Sequence, residues 1–150
     1  MFSPKKILVP TDFSVYADDA IKQAIDIAKQ YKAQLYMLHV VDEKFQQCAA
    51  DYCVDEATFR KILKESVDGA NDKLREEVKK ITGDHAEVEI TYDVIKGNAY
   101  EEIIREQENK GIDLIVIASH GKTGILKNLM GGVVEKVIKR VKCPVLLIRS

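Results

Sequence analysis

Four short apolar runs and one segment of strict apolar/polar alternation are interleaved with four stretches of helical period, and this order constrains the fold more than any other feature of the chain. Lys5-Lys6-Ile7-Leu8-Val9-Pro10 is a buried strand closed by proline, and residues 35–41, 113–118 and 144–149 are runs of the same kind. Ala86, Val88, Ile90, Tyr92 and Val94 alternate with Glu87, Glu89, Thr91 and Asp93, which predicts a strand with one wet face at a sheet edge. Between the first two strands, Ala17, Ala20, Ile21, Ala24, Ile25 and Ala28 form one helical face behind Ser14, a helix-capping residue type. The period returns from residue 56 to 81 at Phe59, Ile62, Leu63, Val67, Ala70, Leu74, Val78 and Ile81, with Gly83 as its stop. Tyr100, Ile103 and Ile104 predict a short helix after Gly97-Asn98, and Val133, Val134, Val137, Ile138 and Val141 predict the last one. Residues 42–55 have no clean period and read as a loop.

Strands alternating with helices imply an α/β domain: an open five-stranded parallel sheet with right-handed crossovers and helices on both faces. Residues 1–150 fit one domain, long enough to bury about two thirds of the surface of the unfolded chain without a metal or disulfide staple. In such sheets ligands bind at the carboxyl ends of the strands, at the switch point of the strand order. The loops after strands one, two and four are therefore the ones to inspect.

Composition narrows the partners. The chain is 46% hydrophobic and 31% charged, with a net charge of −1, which gives no general attraction to nucleic acid or to an anionic membrane. No apolar run is long enough to span a bilayer, and Met1-Phe2-Ser3-Pro4-Lys5-Lys6 lacks the features of a secretory leader, so the cytoplasm is the expected compartment. The three cysteines do not suggest a disulfide framework; unpaired thiols are expected, with a Cys48–Cys53 redox pair as the alternative. No histidine has metal-ligand spacing to a cysteine.

Gly121-Lys122-Thr123 ends like a Walker A loop, but the first glycine of that motif would fall on Val116, inside a strand. A GxGxxG fingerprint is also missing, since the first strand runs into Pro10-Thr11-Asp12. Phosphate could still be held another way. Gly131-Gly132 stands before the last helix, whose N-terminal N–H groups suit an anion. Gly121 and Gly124 allow close backbone approach, and Lys122, Thr123 and Lys127 add charge and a hydroxyl. The alternative is that these glycines only turn the chain and start a helix.

Taken together, these pieces resemble the universal stress protein family almost end to end. The resemblance rests on Lys6-Ile-Leu-Val-Pro-Thr-Asp-Phe-Ser14, Leu38-His-Val-Val-Asp42, Gly97-Asn-Ala99, Asp113-Leu-Ile-Val-Ile-Ala-Ser-His-Gly121, Gly131-Gly-Val-Val-Glu-Lys-Val137 and Cys143-Pro-Val-Leu-Leu-Ile-Arg149. It implies a Rossmann-like sheet in the order 3-2-1-4-5 and a role in stress response or signalling. Nucleotide-binding members carry G-x2-G-x9-G-[ST] after the fourth strand. Here Ala118 stands at the first glycine, Gly121 and Gly131 fill the next two, and Gly132 replaces the Ser or Thr. The implied ligand is ATP, with magnesium. The implied site comprises Pro10, Thr11 and Asp12 after strand one and Val40 on strand two. Ile117, Ala118, His120 and Gly121 follow on and after strand four, and Gly131, Gly132 and Val133 lie at the last helix. Asp12 would accept a hydrogen bond from adenine, or else cap the first helix; Val40 and Ile117 would form an apolar slot for the ring, or simply core. The resemblance also implies a homodimer through the edge strand Val145–Ile148, which is apolar on both alternating sets.

The departures at Ala118 and Gly132 leave two functions open: an ATP-binding stress module, and a module of the same fold that binds no nucleotide and acts by protein contact. No Ser/His/Asp arrangement or paired carboxylates mark the loops as those of an enzyme, and at most slow ATP hydrolysis is compatible with them.

Overall fold

The computed structural model describes residues 1–42, 55–119 and 132–149. In chain order the elements are β1 (Lys6–Pro10), α1 (Val15–Tyr31), β2 (Gln34–Asp42), α2 (Glu56–Asp84), β3 (Ile90–Gly97), α3 (Ala99–Lys110), β4 (Leu114–Ala118), α4 (Val133–Arg140) and β5 (Val145–Ile148). The five strands form one sheet in the order β3-β2-β1-β4-β5, every neighbouring pair parallel. This is the expected α/β architecture and the expected strand order.

Alternation along the strands divides the core into two layers. Ile7 and Val9, Leu35 and Met37, and Leu114 and Val116 pack with Ala20, Ala24 and Ala28 of α1 and with Leu74 of α2. Leu8, Leu38, Ile115 and Ile117 pack on the opposite face with Ile103 of α3 and Val137 of α4. All five residues of β4 are buried because helices cover both of its faces. Each fully buried aliphatic side chain contributes about 1.5–3 kcal/mol over its exposed state. Helix α1 is set by its sequence: Ser14 accepts a hydrogen bond from the Ala17 N–H, and all six of the predicted inward residues are buried. At the amino ends of the strands, the Asp113 carboxylate accepts the backbone N–H groups of Lys5 and Lys6 at 3.0–3.1 Å, which ties the start of β1 to the start of β4.

Four local expectations are corrected. Helix α2 runs through Gly83 to Asp84 and closes where the His85 N–H reaches the Ile81 carbonyl at 2.7 Å. The third strand begins at Ile90 instead of Ala86, because residues 85–88 turn on a Val88 N–H to His85 carbonyl bond and leave Ala86 exposed. Tyr92, expected inward, is 37% exposed on this edge strand. On α4 only Val137 is fully buried, while Val133 and Ile138 are exposed; a helix of eight residues at the sheet's flank presents only a narrow stripe to it. Residues 43–54, with Cys48 and Cys53, lie outside the described residues.

Candidate functional site

Register places the candidate residues at the carboxyl end of the sheet. Pro10, the last residue of β1, pairs with Leu38, and β2 continues four residues beyond that point to Asp42. On the other side Leu8 pairs with Ile115, so the same register sets Pro10 beside Ile117. The central strand therefore ends four residues before β2 and one before β4, at the place where the strand order reverses and where a sheet of this kind has its ligand crevice. Val40 and Ile117 flank this crevice from the two neighbouring strands. Both belong to the layer that faces α3 and α4, Ile117 buried and Val40 partly so. They serve as core whatever else they do.

The chain leaves β1 through a loop held by several hydrogen bonds. The Thr11 N–H bonds the Leu38 carbonyl at 2.8 Å and so extends the β1–β2 ladder by one residue. The Thr11 hydroxyl oxygen accepts the Phe13 N–H at 3.1 Å, and Asp12 Oδ1 accepts the Ser14 N–H at 3.0 Å. Asp12 thus shapes the approach to α1, while Ser14 is the residue that caps the helix. Phe13 adopts a left-handed conformation with φ 64°, an unusual state for a bulky residue that costs on the order of 1–2 kcal/mol. Its ring lies 4.5 Å from the His39 ring, and Lys73 Nζ of α2 sits 5.5 Å from its centroid. His39 Nδ1 is 2.8 Å from the Thr11 carbonyl oxygen.

On the other side of the crevice, Ala118 ends β4 and is buried. Its φ is negative, so a methyl group here carries no backbone strain. Ser119 follows it, buried, with its N–H bonded to the Ile148 carbonyl at 2.8 Å. Gly132 is the N-cap of α4 at φ −81° and ψ 179°, extended backbone open to any residue, and no side chain caps the helix. The first turn of α4, from Val133 onward, has backbone N–H groups without intrahelical acceptors. Lys136 and Arg140 rest over the Tyr100 ring at 4.7 and 5.5 Å and couple α4 to α3. His120, Gly121 and Gly131 fall outside the described residues, as does the Gly121-Lys122-Thr123 segment.

The sequence pointed to Pro10, Thr11, Asp12, Val40, Ile117 and Ala118, and the structure brings these to one end of the sheet. It also adds Phe13 and His39, which the sequence reading did not single out. The available signal was a histidine at an inward-alternating position of an otherwise apolar strand. A cleft of ≈ 590 Å³ lies next to the crevice, lined by Phe13, Asp18, Asp72, Lys73, Glu76 and Glu77. It shares only Phe13 with the candidate loop. Within it, burial raises the pKa of Glu77 above the ordinary glutamate range, and the neighbouring Asp18 carboxylate adds to the shift. Among the described residues, no cluster of three or more His, Cys, Asp or Glu side chains is placed to hold a metal ion, and no helix is long and apolar enough to cross a membrane.

A model of the universal stress protein family matches residues 4–149. The chain is 38% identical to the universal stress protein MJ0531 of Methanocaldococcus jannaschii, over 97% of this chain and 82% of that protein. It is 35% identical to universal stress protein MJ0577 of the same organism, over 97% of this chain and 94% of the relative. The solved structure of MJ0577 superposes with a TM-score of 0.83 at 31% identity, over 99% of this chain and 98% of its own. A universal stress protein family structure from Arabidopsis thaliana with AMP bound has a TM-score of 0.65 at 18% identity, over 97% of this chain and 92% of its own, a likeness of fold.

Proposed function

Because the chain belongs to the universal stress protein family, we propose that it binds ATP in the crevice above β1 and acts as a stress-response or signalling module. The observation that carries the reading is the end of β1 at Pro10 beside a β2 that runs four residues further, with Asp12 at the exit and Val40 and Ile117 to either side. In this reading adenine lies against Val40 and Ile117 and its amino group donates to Asp12. Thr11 and Pro10 form the floor. The phosphates extend toward the start of α4, where the N–H groups of Gly132 and Val133 meet the negative charge. Gly121, Gly131 and His120 complete the phosphate side. Magnesium enters only as the companion ion of the triphosphate. The reading contains no catalytic residue, and it places the protein in the cytoplasm as a homodimer joined through β5.

Support comes from three sides. The negative φ of Ala118 removes the conformational objection to the first departure from the glycine motif. Gly132 keeps its position as N-cap and lacks only a hydroxyl. A protein of the same fold holds AMP. Equilibrium binding of a fluorescent ATP analogue tests the proposal. The wild type should bind, and Gly131→Val should abolish binding while the circular dichroism spectrum stays unchanged. A wild type that does not bind would favour the alternative, a stress module that works through protein contacts alone.

A further inference from the structure

We propose that His39 is a positioning residue for the ligand loop: it holds the Thr11 carbonyl and backs the Phe13 ring, and so fixes the shape in which Asp12 is presented. The inference rests on the nucleotide reading for what Asp12 is presented to, and on the loop geometry alone for how it is held.

Thr11 is 5% exposed and stands one residue past the end of β1. A buried carbonyl of this kind needs a donor. His39 supplies it from β2 at 2.8 Å. A carbonyl oxygen only accepts, so the imidazole proton resides on Nδ1. The same ring lies 4.5 Å from that of Phe13 at an interplanar angle of 38°. Phe13 is one of two non-glycine residues at positive φ among those described, a conformation that persists only where the surroundings impose it. Its N–H is tied to Thr11 Oγ1, one ring neighbour is Lys73, and the other is His39.

His39 thus contacts the loop on both sides of Asp12, at the carbonyl before it and at the ring after it. Alternation along β2 explains why the position can do this: Leu38 and Val40 face the α3–α4 layer, while His39 faces the α1–α2 layer where Phe13 packs. Without the imidazole, the Thr11 carbonyl loses its donor and Phe13 loses a wall. The loop can then relax to negative φ at Phe13, which turns the adjoining Asp12 away from the crevice.

The test uses the full chain in two arms. In the ligand-free protein, nitrogen NMR of the imidazole should show the proton on Nδ1. His39→Leu should shift the amide signals of Asp12, Phe13 and Ser14 and accelerate their hydrogen exchange. His39→Asn, whose Nδ2 stands close to where Nδ1 was, should restore much of the loop signature. In the second arm, affinity for a fluorescent ATP analogue should fall about tenfold in His39→Leu and by less than about threefold in His39→Asn. A proton on Nε2, unchanged loop signals in His39→Leu, or unchanged affinity in His39→Leu while the wild type binds would each overturn the proposal. A wild type that fails to bind the analogue overturns the nucleotide reading instead, and the loop signals still decide the role of His39.

Discussion

A β-carbon placed on Gly97 would stand 2.9 Å from both Cγ and Oε1 of Glu102. The end of β3 and the first turn of α3 are thus fitted to one another: a buried glutamate, 7% exposed, fills the space that glycine leaves. The carboxylate pairs with the Arg105 guanidinium one turn on. The φ of Gly97, 155°, lies in a region that side-chain-bearing residues seldom enter, so glycine is required here twice over.

Gly97→Ala should therefore lower stability by about 2 kcal/mol, from backbone strain and from displacement of Glu102. Because the clash is with one side chain, Glu102→Ala in the same chain should recover about 1 kcal/mol of that loss. Urea unfolding of the two single variants and the double variant reads the coupling. Additive losses would show that the two residues do not share the space.

Glu77 makes stability depend on pH in a defined direction. Burial beside α1 and the Asp18 carboxylate keep its proton on to higher pH in the folded protein than in the unfolded chain. The folded state then binds more protons between the two titrations, so stability falls as pH rises through them. Lys80 opposes the shift without cancelling it, and Asp72, Lys73 and Glu76 share the same cleft wall. Glu77→Gln cannot ionise. Its urea midpoint and that of the wild type should agree near pH 4, and the wild type should then drop relative to the variant toward pH 7, by a margin kept small by solvent around a half-exposed group. Parallel profiles would rule the effect out.

Gly132→Ser should tighten ATP binding by roughly tenfold, because it returns a hydroxyl that can bond a phosphate oxygen at the start of α4. The backbone at this position, φ −81° and ψ 179°, accepts serine without strain. As a helix cap, serine improves on glycine by only a few tenths of a kcal/mol. A gain in affinity with little change in melting temperature would therefore locate the hydroxyl at the ligand. A gain in stability alone would assign it to the cap.

Much of this architecture was legible in the sequence for a simple reason. Each central strand is a short apolar run, and α1 shows an uninterrupted inward stripe from Ala17 to Ala28. Periodicity gave the elements but not their order in the sheet; that came from the family motifs. Features that depend on two elements meeting were harder to see. Nothing in Gly97-Asn98-Ala99 announces that Glu102 is buried, since its partner is an absent side chain. Nothing in Asp12-Phe13-Ser14 marks Phe13 as left-handed, since phenylalanine is not a residue type that prefers that state. The inward count on α4 was too generous because periodicity shows which face is apolar but not how much sheet remains for it to cover: Ile138 is 49% exposed.

The edge strand β5 supports the last prediction, a homodimer. It lies at the end of the sheet, paired on one side with β4 from Val145 to Ile148. Among the described residues no strand pairs with its other side, and pairing with the same strand of a second copy across a two-fold axis would satisfy both edges in one closed contact. The four residues are all aliphatic, and none is a charged residue of the kind that usually blunts an edge. Side-chain exposure decides which substitutions are informative. Leu147 packs into the α3–α4 layer, so a lysine there would damage the core as well as any contact. Leu146 is 38% exposed and is the better probe. Leu146→Lys should leave the fold intact and shift the dimer toward monomer, since it would place two like charges close to the axis. Leu146→Pro should act through the backbone by removing the residue's N–H and disturbing the edge. Sedimentation velocity at micromolar concentration reads the outcome. A monomeric wild type, or a dimer that survives both substitutions, would place any self-association elsewhere on the molecule.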